Sequence, residues 1–204
     1  TLVKLYFMIG HPTETDEDLQ ALVDLVQQVC QVAFRYRGKR INVSISPFVP
    51  KPLTPFQWVR QDSAEEMQRK INFLRQRIRN KNVKLSWREA DVARIEGLLA
   101  RGDRRVARII KRAWQLGAYL EGWSEFFDAT RYETALGESD VAFSHILNGC
   151  DVDQPLPWDH LDKGVSKKYL RDEYWRALRG EKVADCRFDV CHSFGLMGQA
   201  VCQE

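Results

Sequence analysis

The sequence is short of the features that mark membrane-spanning, exported and highly charged proteins. Its 204 residues hold no apolar run near the roughly 18 residues of a membrane helix, and no basic, apolar leader opens them. The chain has an odd number of cysteines, five, and is long enough to fold without stabilising disulfide bonds. Its net charge is only +3. We therefore expect a soluble, cytoplasmic protein with reduced thiols and no membrane partner.

The first 88 residues alternate between strand and helix patterns. Residues 2–9, 41–46 and 83–87 have the apolar, β-branched and aromatic composition of strands. Helices are predicted between them, because Thr15 and Ser63 each precede an apolar pattern with helical spacing. The order strand, helix, strand, helix, strand favours parallel pairing through right-handed crossovers.

Beyond residue 88 the strand patterns stop and helical periodicity continues. Helices are predicted over residues 89–100, 106–116, 123–136 and 166–178, with a polar connection at 151–164. The sequence thus predicts an α/β part at residues 1–88. An α-helical accessory region follows at 89–204 and ends in a poorly ordered tail that contains cysteines.

Two consecutive strand-to-helix corners carry the most specific motifs. Residues 6–19 run from a strand through glycine, proline and threonine to an acidic helix start, and residues 46–55 hold four of the seven prolines. Together they resemble the late corners of the barrel in radical S-adenosylmethionine (SAM) enzymes. The second corner is similar to that of methylthiotransferases and related tRNA-modifying members. Residues 101–105, 122–123 and 156–165 resemble the end of uncharacterised bacterial radical SAM proteins fused to a cobalamin-binding domain.

This resemblance implies the C-terminal part of a partial (βα)6 radical SAM barrel, with about three parallel strands and their helices. In the family, a three-cysteine loop after the first strand holds a [4Fe-4S] iron-sulfur cluster. The intact enzyme cleaves SAM reductively to a 5′-deoxyadenosyl radical, and cobalamin-dependent group transfer is a further implication. The sequence has no Cys-x3-Cys-x2-Cys motif. We therefore expect an inactive protein fragment without its own cofactor, whose partner is the missing N-terminal half; the start at Thr1, within an apolar strand, agrees with this.

The same resemblance implies a set of residues along the SAM-binding wall. In the first corner, backbone and apolar contacts to the adenine are expected from Phe7, Ile9 and Gly10. In the second, Phe48 and Val49 are expected to border the nucleoside or the substrate. An adenine suits a flat apolar slot with backbone hydrogen bonds. The alternative is that Phe7 and Ile9 are ordinary core residues.

The role of Glu14 in the first corner has two interpretations. Its carboxylate either orients the loop or stabilises the start of the following helix through the helix dipole, and we favour the second. No catalytic residue is predicted in this chain.

A cationic segment indicates a second class of function. Six lysines and arginines fall within residues 101–112 beside one acidic residue, and a second group lies at 69–81. The alternative function is therefore a basic helical RNA- or ribosome-binding module that contacts RNA through Arg104, Arg105 and Arg108. The competing interpretation is a solvated helix face, which the small net charge favours. A third hypothesis is self-association through an exposed strand edge at residues 1–9.

The tail contains a candidate set of soft metal ligands, namely Cys186, Cys191, His192 and Cys202. A closed tetrahedral site needs four ligands, and these would meet only if the tail folds back. Resembling proteins continue with more cysteines near positions 194 and 197, where this chain has apolar residues. We therefore predict no metal site.

Overall fold

A computed structural model describes residues 2–36, 39–184 and 188, and its strands form one parallel sheet. The strands are β1 (Leu2–Ile9), β2 (Arg40–Pro47) and β3 (Val83–Trp87), in the spatial order β1-β2-β3. Ile9 pairs with Pro47, so the carboxyl ends of β1 and β2 lie side by side. The predicted strands and their parallel pairing are confirmed.

Two helices cover one face of this sheet. They are α1 (Asp16–Phe34), which Thr15 begins with a capping box, and α2 (Ala64–Arg77), whose N-cap is Ser63. Both bury an apolar stripe against the same side of the strands. This core contains Ile9, Ile41, Val43 and Ile45 from the sheet, Leu19, Val23, Val26 and Cys30 from α1, and Ile71 and Leu74 from α2.

The opposite face of the sheet is polar and open. Side chains alternate between the two faces of a strand, so the neighbours of the core residues point away from the helices. On this face Tyr6 is 72% exposed and Met8 is 50% exposed, while Ser44 and Ser46 of β2 are half-buried. Register places Tyr6 beside Ser44 and Met8 beside Ser46.

The described remainder of the chain is helical. Its helices are α3 (Ala90–Arg101), α4 (Val106–Gln115), α5 (Ala129–Gly137), α6 (Phe143–Leu147) and α7 (Lys167–Leu178). The prediction at 123–136 began too early, because residues 123–126 form turns and a bend in which Trp123 is exposed, and the helix begins only at Ala129. The short α6 was not predicted, since five residues carry too little periodicity.

The chain is thus a mixed α/β protein with a three-stranded parallel sheet and seven helices within the described residues. No helix in that part of the chain is long and apolar enough to cross a bilayer. The predicted division at residue 88 remains a prediction. Contacts cross it, because the loop after β2 packs against the helices that follow residue 88. Leu147 accepts a hydrogen bond from the amide of Gln61, and Trp158 donates to the side chain of Gln57.

Candidate functional site at the carboxyl ends of the strands

The two corners with the specific motifs meet at the carboxyl ends of β1 and β2. The amide of Phe48 donates a 2.7 Å hydrogen bond to the carbonyl of Ile9. The imidazole of His11 stacks on the ring of Phe48 with 4.8 Å between centroids, and Phe56 meets Phe48 edge-on at 5.7 Å. The parallel pairing that the sequence predicts thus places Gly10 next to the second corner.

A buried ionic cluster fixes the first corner against α2. One carboxylate oxygen of Glu14 accepts from the Gly10 amide at 2.9 Å and lies 2.8 Å from the ammonium of Lys70. The same ammonium lies 2.8 Å from Asp62, at the end of the second corner. The side chains of Lys70 and Glu14 are each only 8% exposed. These four residues form what we call the corner cluster.

This cluster corrects the interpretation of Glu14. The carboxylate holds the loop, because its oxygen is occupied by the Gly10 amide and by Lys70. The first residue of α1 is Asp16 and its cap is Thr15, so Glu14 lies outside the helix. The sequence signal for this role was a lysine within the apolar stripe of α2.

The electrostatics of the cluster keep Lys70 charged. Burial by itself lowers the pKa of a lysine, but the hydrogen bonds and charges of Asp62 and Glu14 outweigh it and raise the pKa of Lys70 above its ordinary value. Gly10 completes the arrangement with a φ of +91°, and a Cβ there would stand 3.0 Å from a carboxylate oxygen of Asp62. Glycine is therefore required on both conformational and steric grounds.

The structure divides the predicted SAM-wall residues between the core and the corner. Ile9 is 1% exposed and Phe7 packs against the same core, so both side chains lie on the helix-covered side of the sheet. Val49 packs against the smaller core of α2 and α3. Gly10 and Phe48 lie at the corner, and Phe48 is half-buried. A cofactor-binding role for these five residues remains a prediction.

The side chains that face the open side of the sheet are different ones. Tyr6 and Met8 of β1 and Ser44 and Ser46 of β2 occupy that face, with His11 near its carboxyl edge. These residues could have been identified from the sequence, because successive side chains of a strand lie on opposite faces of the sheet. It places Phe7 and Ile9 on the opposite face from Tyr6 and Met8.

The described part of the chain holds no metal site. No group of three or more His, Cys, Asp or Glu side chains is suitably arranged there. Cys30 and Cys150 are free thiols whose pKa values burial raises, so neither is activated as a nucleophile at neutral pH. The tail set of Cys186, Cys191, His192 and Cys202 lies outside the described residues.

The cationic segments separate into paired and unpaired side chains. Arg105 is held by Asp103 at 2.8 Å, whereas the side chains of Arg104 and Arg108 make no ion pair with any residue that the structure describes. In the second group, Lys70 is buried in the corner cluster and Arg69 bridges Asp16 and Glu66. Carboxylates therefore neutralise these two members of the second group, whereas Arg75, Arg77, Arg79 and Lys81 are exposed and make no ion pair within the described residues.

Comparisons with known proteins leave the family open. No protein-family model matches the chain, and no solved structure matches it. The chain is similar to the uncharacterized protein MJ0966 of the archaeon Methanocaldococcus jannaschii, with 30% identity over 108 residues. The match covers 53% of this chain and 23% of the archaeal protein. The chain therefore spans about a quarter of the length of the curated relative that it matches, and the name of that relative assigns no activity.

Proposed function

We propose that the chain forms the last strands of the catalytic barrel of a radical SAM enzyme, followed by a helical accessory region. The observation that carries this proposal is the form of the sheet. Three parallel strands stand in chain order, and both crossover helices cover the same face. The open polar face then corresponds to the interior of a barrel.

Successive strands of a barrel have this arrangement, and so does one half of an open doubly wound sheet, which reverses its strand order only between its two halves. The resemblance of the two corners to radical SAM enzymes favours the barrel. A barrel adds strands in chain order and keeps all its helices outside. In a barrel the binding groups lie at the carboxyl ends of the strands. The corner cluster fixes Gly10 there, and Phe48 is held there by its hydrogen bond to Ile9.

The described residues do not fit an iron-sulfur cluster, because no group of three suitable ligands occurs among them. The cluster, and the cobalamin that the resemblance implies, therefore belong to the proposal for the intact protein. SAM supplies the radical-forming chemistry when it is bound beside a reduced cluster. This chain's contribution is to bind and position: the His11–Phe48 stack offers a flat apolar surface, and Ser44 and Ser46 offer hydroxyls on the open face.

The proposal gives the outer edge of β1 a specific partner. β1 is an edge strand of the described sheet, paired on one side with β2. Leu2 and Val3 are 46% and 38% exposed along it. In the intact protein this edge pairs with the preceding strand of the barrel, and in the isolated chain the same edge favours self-association.

The test uses the intact protein, expressed from the complete coding sequence. It is reconstituted with iron and sulfide without oxygen, reduced, supplied with SAM, and analysed chromatographically for 5′-deoxyadenosine and methionine. We expect both products from the intact protein and neither from the 204-residue chain. Failure to assemble a cluster, or a reduced cluster that leaves SAM intact, contradicts the proposal.

A second measurement ties the activity to the open face. Ser44→Val and Tyr6→Ala in the intact protein are expected to weaken SAM binding and lower product formation by about 10-fold, the loss of one hydrogen bond or ring contact. Gln27→Ala, on the exposed side of α1, is the control and keeps full activity. Equal activity in all three variants would remove the open face from the site.

A further inference from the structure

The exposed face of α4 carries a row of cations without partners. The side chains of Arg104, Arg108 and Lys111 are exposed and make no ion pair or hydrogen bond with any residue that the structure describes. We propose that this row, together with Trp114, binds single-stranded RNA. The inference is independent of the barrel proposal, because it concerns a surface that this chain forms by itself.

Helical geometry aligns the row. The carbonyl of Arg104 accepts from the amide of Ala107 at 3.2 Å, so the turn that begins α4 already includes this residue. At about 100° per residue, Arg104, Arg108 and Lys111 lie within about 60° of one another on the helix surface. They stand opposite the face that α4 buries in the core, which consists of Val106, Ile109 and Ala113.

Neighbouring cations do not contribute, because carboxylates neutralise them. Arg105 is bound by Asp103, and Arg112 forms two hydrogen bonds with Glu138, at 2.6 and 3.0 Å. Both arginines lie on one flank of the row. The sequence-based set of Arg104, Arg105 and Arg108 is thus revised in this proposal: Lys111 takes the place of Arg105.

The other flank of the row is aromatic. Trp114 lies about 60° around the helix from Lys111, the nearest member of the row, and is 67% exposed. At the start of the row, beside Arg104 and the Asp103–Arg105 pair, a groove of about 770 Å³ opens, bordered by Pro52, His160 and Leu161. A groove of this volume accommodates a nucleobase. A line of cations binds successive phosphates of a single strand, and an exposed indole beside it stacks on the bases. The groove adds an apolar surface next to the same row.

These features favour RNA over a membrane or an acidic protein. A helix that inserts into a bilayer must turn its apolar face to the lipid, and the apolar face of α4 is buried in the core. An acidic protein would be bound by the cations alone. It would leave Trp114 without a stacking partner, whereas a single strand supplies one.

The experiment is a titration of a 5′-fluorescein-labelled RNA of mixed sequence, about 12 nucleotides long, with the full chain. Anisotropy is recorded at a series of potassium chloride concentrations. We expect the logarithm of the binding constant to fall linearly with the logarithm of salt. In Arg104→Ala/Arg108→Ala/Lys111→Ala the slope becomes shallower by about 2, the value for three phosphates on a single strand. Trp114→Ala weakens binding about 5-fold to 150-fold without changing the slope.

A triple variant with the same loss of charge is the matched control. Arg35, Arg60 and Lys182 are exposed, make no ion pair within the described residues and belong to neither cationic group, and their replacement by alanine leaves the slope unchanged. Circular dichroism verifies that every variant is folded. Equal effects of the two triple variants, or no measurable binding by the unmodified chain, overturn the proposal. So does binding to phosphatidylserine vesicles or to polyglutamate as tight as binding to RNA.

Discussion

Lys70 lies in the apolar stripe of α2, between Met67 and Leu74, and is almost fully buried. A lysine is stable in such a position only if its ammonium is paired, and Glu14 and Asp62 provide two carboxylates. The contacts join residues from two corners and one helix. The cluster therefore determines how the two corners stand relative to each other.

Replacement of Lys70 by methionine is expected to destabilise the fold strongly. The thioether fills the space, but two carboxylates then face each other with little access to water. The free energy of unfolding should fall by about 3–5 kcal/mol, measured by urea denaturation at pH 7. Because the pKa of Lys70 is raised, its contribution is complete at this pH and is lost only as the pH rises through that pKa.

Arg69→Met is the matched control one residue away. Its side chain is 46% exposed, and its ion pairs with Asp16 and Glu66 lie at the surface. Surface pairs contribute less than about 1 kcal/mol. If the two variants unfold at the same urea concentration, the corner cluster has no structural role.

The corner cluster is a long-range contact that local sequence patterns do not predict. An acidic residue just before a helix is typical of a favourable dipole interaction, so Glu14 was assigned to the helix start. Its actual partner, Lys70, stands 56 residues away. Only the position of a lysine on an apolar stripe pointed to such a contact, and that pattern does not identify the partner.

In α3, intrinsic helix propensity and packing disagree at one position. Gly97 lies within it, where alanine normally stabilises a helix by about 1 kcal/mol. A Cβ at this position would stand 2.0 Å from the side-chain oxygen of Gln61 and 2.8 Å from Leu147. Gln61 is itself held, since its amide nitrogen donates to the carbonyl of Ala93 at 2.8 Å.

Gly97→Ala is therefore expected to destabilise the protein, against its helix propensity. The added methyl group forces Gln61 away from Ala93, which lowers the free energy of unfolding by about 1–3 kcal/mol. The control is Gly137→Ala at the end of α5, where a Cβ meets no atom within 4 Å. That variant should be neutral or more stable. Thermal unfolding of both variants shows whether each substitution lowers or raises the stability. A rise in the melting temperature of Gly97→Ala would contradict the close packing of Gln61 and Leu147 against Gly97.

Elements with long periodic patterns were the predictable ones. The strands, α1 and α2 follow from hydrophobic spacing and from caps at Thr15 and Ser63. The start of α5 was misplaced because residues 123–127 hold apolar residues at helical spacing, yet the chain forms turns over 123–126 and the helix begins at Ala129. The face on which each side chain of β1 and β2 lies follows from the alternation along a strand. The resemblance instead implied contacts from Phe7 and Ile9, whose side chains lie on the covered face.

At the scale of the whole molecule, the loop after β2 connects the sheet to the helices. Gln57 and Trp58 are each 1% exposed within it. The Gln57 side chain accepts from Trp158 at 2.7 Å, and the Trp58 ring lies 5.6 Å from that of Tyr174. Arg101 of α3 is buried beside them, which lowers its pKa, and it donates to the Gln57 carbonyl at 3.4 Å. These contacts join residues 44 to 101 positions apart, and such contacts leave no local pattern in the sequence. The sequence therefore indicated a boundary at residue 88 and did not indicate the contacts that cross it.

The chain is therefore expected to unfold as one unit, and residues 1–88 alone are expected to lack a stable fold. Truncation after residue 88 exposes Trp58 and removes two donors to Gln57, namely Trp158, which bonds to its side-chain oxygen, and Arg101, which bonds to its backbone carbonyl. Burial of one large side chain contributes about 1.5–3 kcal/mol, a large part of the total for a piece of this size. Tryptophan fluorescence and far-UV circular dichroism of the full chain should report coincident transitions in urea, whereas residues 1–88 should show a broad, non-cooperative change. A cooperative transition of the short piece at the midpoint of the full chain would instead make residue 88 a true folding boundary, with the loop after β2 a passive connection.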